Sequence, residues 1–374
     1  MPTASLPIVS DPARPIVGAV TWAPSPYIHI GPDRVYNPHT DKTLVEGEPG
    51  YARLRQMLAE SATGLALDEA LRPLAEEGWL VDSETDLSRR YYLKMVSLEA
   101  HTVCNQACYF CPVSVDPRKS HFMPMETYER IVGEIAELGE PIESVFMISY
   151  NEPTLDPRFV DQVKCLVNAG LPASTLTNGT GLTPERVDAL LEIGGLRYLS
   201  INISTLDRER YKKDRGHDHL KQVLRNLDYV KDKPVAPDMH VVVLGMGDET
   251  HQRDFEELQE RFAGSRFEVK LFVANDRAGY LPVGLKAKGK ERNLCGCDHW
   301  GSRPIHHLHI TPHAKAILCC QDYDESVVVG DLEENSVREV LEGDEFARAR
   351  RWVYGLEKAP ENFICNDCKF ALRR

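Results

Sequence analysis

Three cysteines constrain this chain more than any other stretch. They lie in His101-Thr-Val-Cys104-Asn-Gln-Ala-Cys108-Tyr-Phe-Cys111-Pro-Val113, at spacing C-x3-C-x2-C. The residues before them, Lys94-Met-Val-Ser-Leu-Glu-Ala100, alternate in polarity and predict a strand leading into the loop. Three thiolates on one short loop can hold three corners of an iron–sulfur cube and leave its fourth iron open to a substrate or cofactor. Zinc is the competing reading, but its usual C-x2-4-C pair is repeated, and no second pair lies near this loop. Buried structural thiols are a third reading. A disulfide suits a secreted chain, and the other marks of secretion are missing.

Composition narrows the classes further. A chain of 374 residues with a 42% hydrophobic share has material for a large core and for two or three domains. No apolar run approaches the length of a membrane span. The start, Met-Pro-Thr-Ala-Ser-Leu-Pro, lacks the basic and apolar blocks of a signal peptide. Ten cysteines without an export signal point to a reducing compartment, the cytoplasm, and to metal or redox use. The formal charge of −13 argues against a long nucleic-acid footprint, which needs clustered positive charge.

Three segments follow from pattern. In residues 1–92, Tyr27-Ile-His-Ile and Arg34-Val-Tyr-Asn flank the turn signal Gly31-Pro-Asp33. Tyr51 to Glu60 and Ala66 to Glu77 show helical periodicity, and Gly78-Trp-Leu-Val-Asp82 closes the unit as a strand. From 93 to 280 strand and helix alternate as in a parallel α/β layer. Strands are expected at Ser144–Ser149, Ala173–Leu176, Tyr198–Ile203, Met239–Leu244 and Phe267–Val273, after the one entering the cysteine loop. The helix Glu126 to Leu138 puts Tyr128, Ile131, Val132, Ile135 and Leu138 on one face. Asn275-Asp-Arg-Ala-Gly279 looks like a linker, and 281–374 carries six more cysteines, Cys295, Cys297, Cys319, Cys320, Cys365 and Cys368.

At the cysteine loop the sequence resembles the radical S-adenosylmethionine (SAM) superfamily, whose hallmark C-x3-C-x-aromatic-C is met with Phe110 before Cys111. The resemblance implies a partial (β/α)6 barrel in which Cys104, Cys108 and Cys111 hold a [4Fe–4S] cluster, with Phe110 beside the bound SAM. Barrels of this kind place chemistry at the C-terminal strand ends. There the second strand meets Tyr150-Asn151-Glu152-Pro153, similar to the family's Gly-Glu-Pro-type motif with Asn151 in place of glycine. The resemblance assigns Glu152 to the SAM ammonium, with a solvated turn glutamate as the alternative. It assigns Asn178, Ser200 and Asn202, on the third and fourth strands, to the SAM ribose and carboxylate. Arg215 fits a position near the carboxylate, or a solvated helix end.

The C-terminal segment resembles a SPASM or shorter twitch extension, which holds an auxiliary [4Fe–4S] cluster. Leu308 to Leu318 reads as a hairpin leading into Cys319-Cys320-Gln-Asp322, and Cys365-Asn-Asp-Cys368 closes the segment. The family's glycine five residues before the ligand is Ala314 here, which aligns Cys319 with the ligand. Two auxiliary clusters need about seven cysteines by that pattern, so one is expected, on Cys297, Cys319, Cys365 and Cys368, with structural zinc as the alternative. Cys295 and Cys320 remain as second-choice ligands, buried thiols, or catalytic donors of hydrogen to a substrate radical. Cys165 is given no role. His299, His306, His307, His309 and His313 are explained mostly by strand alternation rather than by metal.

The N-terminal segment looks like the small winged-helix peptide-recognition domains of peptide maturases, which add a leader peptide to a sheet edge; a packing extension is the alternative. Together these resemblances imply reductive cleavage of SAM to a 5′-deoxyadenosyl radical that abstracts a substrate hydrogen, with flavodoxin or ferredoxin as electron donor. The expected substrate is a ribosomally made peptide carrying a leader, altered by oxidation, crosslinking or epimerisation. A small molecule such as a sugar or aminoglycoside is the alternative. A non-catalytic, zinc-stabilised binding protein is the alternative of another class.

Overall fold

The computed structural model describes residues 20–287 and 293–374, which divide into two units. One takes the described residues up to Asn37 together with Thr43–Asp86, the other Pro38–Lys42 with Leu87–Arg374. In the first, the chain runs through β1 (Trp22–Pro24), β2 (His29–Ile30), β3 (Arg34–Asn37), β4 (Lys42–Val45), α1 (Tyr51–Ala59), α2 (Arg72–Glu76) and β5 (Leu80–Asp82). Strands β2, β3 and β4 form one sheet, and β5 returns to pair antiparallel with β1. Ile28, Val35, Leu54, Met57, Leu74 and Trp79 make a common core. Helix α2 is shorter than the periodicity suggested. Leu65 is bridged to Trp22, and Asp68 Oδ1 accepts the Leu71 N–H at 2.8 Å, so 66–70 is drawn into a turn. The helix starts where Pro73 pre-sets its first turn.

The second unit opens with the parallel layer. Its elements are β6 (Met95–Leu98), α3 (Met125–Glu137), β7 (Ser144–Phe146), α4 (Phe159–Asn168), β8 (Ala173–Thr177), α5 (Pro184–Glu192), β9 (Tyr198–Asn202), α6 (Arg208–Arg215), α7 (Leu220–Val230), β10 (Asp238–Gly245), α8 (Glu249–Arg261) and β11 (Glu268–Val273). Strands β6 to β11 pair in sequence order, each parallel to the last. Helix termini follow side-chain capping: Thr183, Asp207 and Asp248 accept from the third residue of α5, α6 and α8. Helix α3 buries Tyr128, Ile131, Val132 and Ile135 as its periodicity required. Each such side chain contributes roughly 1.5–3 kcal/mol.

The C-terminal segment completes the same sheet. After β12 (Leu294–Cys297) and α9 (Arg303–His306), β13 (His307–Ile310) pairs in parallel with β6. Then β14 (Lys315–Ile317) and β15 (Val328–Asp331) extend it antiparallel. The sheet order is thus β11-β10-β9-β8-β7-β6-β13-β14-β15. Neighbours on both sides explain why all four residues of β6 are buried. Helices α10 (Val337–Glu342) and α11 (Asp344–Val353) follow, and β16 (Ala371–Arg373) pairs antiparallel with β12. Among the described residues no helix is long and apolar enough to cross a membrane.

Candidate active site

The cysteine loop lies where β6 ends, and its backbone is tied to two other elements. Ala107 N and Tyr109 N donate to the carbonyls of Arg215 and Asp214 at the end of α6, at 2.9 and 3.0 Å. Close approach there requires Gly216: its φ is +73°, and a Cβ would lie 3.0 Å from that of Ala107. Glu152 N donates to the Val103 carbonyl at 2.9 Å, joining the turn after β7 to the same loop.

Most of the residues expected at the SAM site converge here. Arg215 is 2% exposed, so it is not a solvated helix end. Its guanidinium donates to Asn202 Oδ1 (2.7 Å) and Ser204 Oγ (2.8 Å), reaches Cys108 Sγ at 3.6 Å, and lies 5.0 Å from the Phe110 ring centre. Asn178 donates to Asn105 Oδ1 within the cysteine loop at 2.8 Å. Ser200 shares its strand face with Asn202, two residues further from the strand end. Glu152 is buried rather than a solvated turn residue, and its carboxylate accepts from Thr177 Oγ1 (2.6 Å), Thr154 Oγ1 (2.5 Å), Thr154 N (3.2 Å) and Asn178 N (2.6 Å). Burial raises its pKa against the pull of those bonds. The carboxylate therefore fixes the rims of β7 and β8 to one another.

Residues that pattern reading missed stand beside these. Glu99, 2% exposed, takes a bidentate bond from Arg118 (3.0 and 2.5 Å) and accepts Tyr150 N at 2.8 Å. Tyr150 OH donates to the Cys320 carbonyl at 2.5 Å, and its ring meets Tyr323 edge-on. The turn expected to hold SAM is thereby joined to the C-terminal cysteines. The segment Asn275–Gly279 is not a free linker, because Asn275 bridges to Leu285 and Arg277 packs over the Tyr150 ring.

The C-terminal site is gathered by β12 and β16. Their pairing sets Cys297 opposite Ala371, just past Cys365 and Cys368. Arg373 Nη2 donates to the carbonyls of Cys365, Asn366 and Cys368, each at 3.1 Å, and so staples the C-x2-C turn. Cys319 lies within electrostatic reach of Cys297 and Cys320, Cys365 of Cys297, and Cys368 of Cys297 and Cys320. Both vicinal cysteines thus belong to this group. Cys295 does not: its charged neighbours are Arg374 and Arg373. The histidines form a buried cluster about Arg303, which donates to His307 Nδ1 (2.6 Å), His309 Nε2 (3.3 Å) and His299 Nε2 (3.4 Å). His309 also approaches Cys319 and Cys320, all three ligand atoms lying within 4.8 Å. His313 stacks on His121, and half-buried Cys165 sits on α4.

The donor sets fit iron–sulfur clusters. Both the loop trio and the C-terminal group offer sets of cysteines, the donor type that iron–sulfur clusters use. Among the described residues, one trio that includes a histidine, His309, Cys319 and Cys320, has all its ligand atoms within 4.8 Å. Burial pushes Cys104 and Cys368 up to about 12 and Cys111 to about 11, so bound iron must displace their protons. A hydrogen bond between the free thiols of Cys319 and Cys320 raises the pKa of the first and lowers that of the second, where Arg303 and Arg277 add their charge.

Comparison with known proteins agrees with this geometry. Residues 98–271 match the Radical SAM superfamily, and residues 297–369 match SPASM, the iron–sulfur cluster-binding domain. A probable GTP 3′,8-cyclase of Pyrococcus abyssi is 31% identical over 39% of this chain and 46% of its own length. The chain spans about half or less of the length of such curated relatives. The crystal structure of Streptococcus suis SuiB bound to precursor peptide SuiA superposes with TM-score 0.55 at 11% identity, covering 93% of each chain. Native anSMEcpe with bound AdoMet and Cp18Cys peptide gives 0.50 at 14% identity, covering 74% of this chain and 86% of that one. Those likenesses establish a shared fold. Residues 98–271 thus form a Radical SAM superfamily domain, and residues 297–369 behind it form an iron–sulfur cluster-binding SPASM domain.

Proposed function

We propose that this enzyme oxidises or crosslinks a ribosomally made peptide, which it holds by a leader segment added to a sheet edge of the N-terminal unit. The observation that carries the reading is the fold likeness to SuiB, which extends over 93% of both chains, SuiB itself having been solved with its precursor peptide. The unit's sheet supports it: edge strands β2 and β4 carry Ile30 and Val45, 47% and 38% exposed. Such an edge offers backbone hydrogen bonds and apolar contacts to an extended peptide.

SAM, bound at the loop cluster, supplies the 5′-deoxyadenosyl radical. The protein's own residues orient it and exclude water: buried Arg215, Asn178 and Glu152, with half-buried Asn202, form a polar frame around the loop. The thiols favour oxidation over epimerisation. A hydrogen donor must be a free thiol facing the substrate, but Cys295 sits beside Arg373 and Arg374, and Cys320 lies among the C-terminal cysteines.

The test is to incubate anaerobic enzyme, SAM and a reductant with any short precursor peptide found encoded beside its gene, in deuterated water. A product two hydrogens lighter, formed equally by Cys295→Ala and Cys320→Ala, is expected. Deuterium at a substrate carbon, lost in one of those variants, would make the enzyme an epimerase. Proline placed in the docked leader segment should abolish binding. If no peptide binds, the small-molecule reading takes its place, supported by the Pyrococcus abyssi relative.

A further inference from the structure

One half-buried cation of the barrel, Arg277, has no carboxylate partner among the described residues. Arg277 and Ala278 adopt φ of 53° and 55°, a region that is costly for residues other than glycine and persists only where the surroundings impose it. Asn275 Oδ1 accepts Arg277 N at 3.1 Å, and Ala274 N donates to the Gly245 carbonyl, so the turn is fixed to the end of β10. The guanidinium carbon lies 5.5 Å from the Tyr150 ring centre, and Nε is buried with no hydrogen-bond partner. Arg118, over the same ring, is neutralised by Glu99. Among the described residues no such ion pair is made by Arg277. The thiols within its electrostatic reach are Cys320, Cys111 and Cys319, from both cysteine sites. Tyr150 in turn is bonded to the Cys320 carbonyl.

We infer that Arg277 is a fixed counter-charge held between the two cysteine sites, and that it raises the reduction potential of the cluster in the C-terminal site. A reduced cluster carries one more negative charge than an oxidised one, and a permanent guanidinium nearby favours it. Arg277 is tied to the C-terminal site through Tyr150, whose hydroxyl is bonded to the Cys320 carbonyl. At an effective dielectric of about 20, a unit charge roughly 10 Å away changes such an equilibrium by about tenfold. Arg277 is therefore a positioning residue for charge. The inference deepens the oxidative reading, in which a substrate radical must lose one electron and one proton. Its test needs no substrate, so failure of that reading would appear in the product assay and not here.

The experiment is a potentiometric titration, followed by electron paramagnetic resonance, of full-length protein purified without oxygen. Wild type, Arg277→Gln and Arg277→Lys are compared. The same set is repeated on Cys104→Ala/Cys108→Ala/Cys111→Ala protein, which isolates the C-terminal signal. With iron content unchanged, Arg277→Gln should shift the C-terminal one-electron equilibrium about tenfold toward the oxidised form, about 59 mV. Arg277→Lys should stay near wild type. A C-terminal shift under threefold in Arg277→Gln would overturn the inference, as would equal shifts in Gln and Lys variants, which would mean packing. If Arg277→Gln does not hold iron, Arg277→Met, which keeps the stem over Tyr150, is judged by the same threshold.

Discussion

The Glu99–Arg118 pair can be tested as a unit, because the structure says what each half leaves behind. Glu99 is 2% exposed and the Arg118 side chain 16%, so the pair lies largely out of water. Replacing Glu99 with Leu strands the Arg118 guanidinium and removes the acceptor of Tyr150 N. Breaking a buried pair from one side costs about 3–5 kcal/mol, and we expect about 4 kcal/mol here. Arg118→Met strands the carboxylate and should cost a similar amount. The double variant removes both charges and leaves chiefly the Tyr150 N–H unpaired, a loss of about 1–3 kcal/mol. The two single effects should therefore exceed the double by at least about 2 kcal/mol. Urea unfolding of anaerobic protein, with unchanged m-value, measures the cycle. Calorimetric titration with SAM gives a second readout, since Glu99 holds the Tyr150-Asn151-Glu152 turn. Glu99→Leu should weaken SAM binding about tenfold, a change of about 1.4 kcal/mol. Additive single effects, or a Glu99→Leu cost below about 1 kcal/mol, would refute the argument that this pair sets the turn.

Three further predictions concern metal, backbone and pH. Protein purified without oxygen should be brown with about eight irons per chain, and Cys104→Ala/Cys108→Ala/Cys111→Ala should lose SAM cleavage and about half the iron; stoichiometric zinc at the C-terminal cysteines would refute the second cluster. Gly216→Ala meets both a positive φ and the Ala107 Cβ, so it should cost about 1–3 kcal/mol and lower iron occupancy of the loop; an unchanged melting temperature would count against that contact. Burial, with Arg350 nearby, holds the His39 pKa down to about 3. The unfolded state then binds a proton near pH 6.5 that the native state refuses, so stability falls as pH drops from about 6.5 toward 3. His39→Gln should flatten the urea-stability slope between pH 6.5 and 5 by up to about 1.4 kcal/mol per unit, and an unaltered slope would exclude His39 as a contributor.

What the sequence made legible was local. The cysteine loop could be read because three ligands fall within one turn of chain, and helix α3 because its apolar face repeats every turn. Strands β7 and β10 were found within a few residues of their ends for the same reason. The addition of β13 beside β6 could not be found this way. A strand's pairing partner depends on contacts more than two hundred residues apart, whereas periodicity reports only which faces are buried. Arg215 and Glu152 were ambiguous because a charged side chain has the same sequence signature in solvent as in a buried network. Only Asn202, Ser204 and Cys108 around the one, and Thr177 and Asn178 around the other, decide the matter.

Arg277 marks the limit most sharply. In sequence it sits in a stretch that resembles a linker, where an arginine is usually solvated. In the fold the same stretch becomes a strained turn against Tyr150, itself joined to the end of β6 through Glu99 and to the C-terminal cysteines through Cys320. Each of these joins crosses between segments that periodicity treats separately. The cysteines can be recognised from spacing because metal chemistry fixes their number and type. The charges that tune a cluster are constrained only by distance, and distance is set by the tertiary fold. A linker that carries a cation between two cysteine-rich segments is therefore worth titrating as part of the redox machinery.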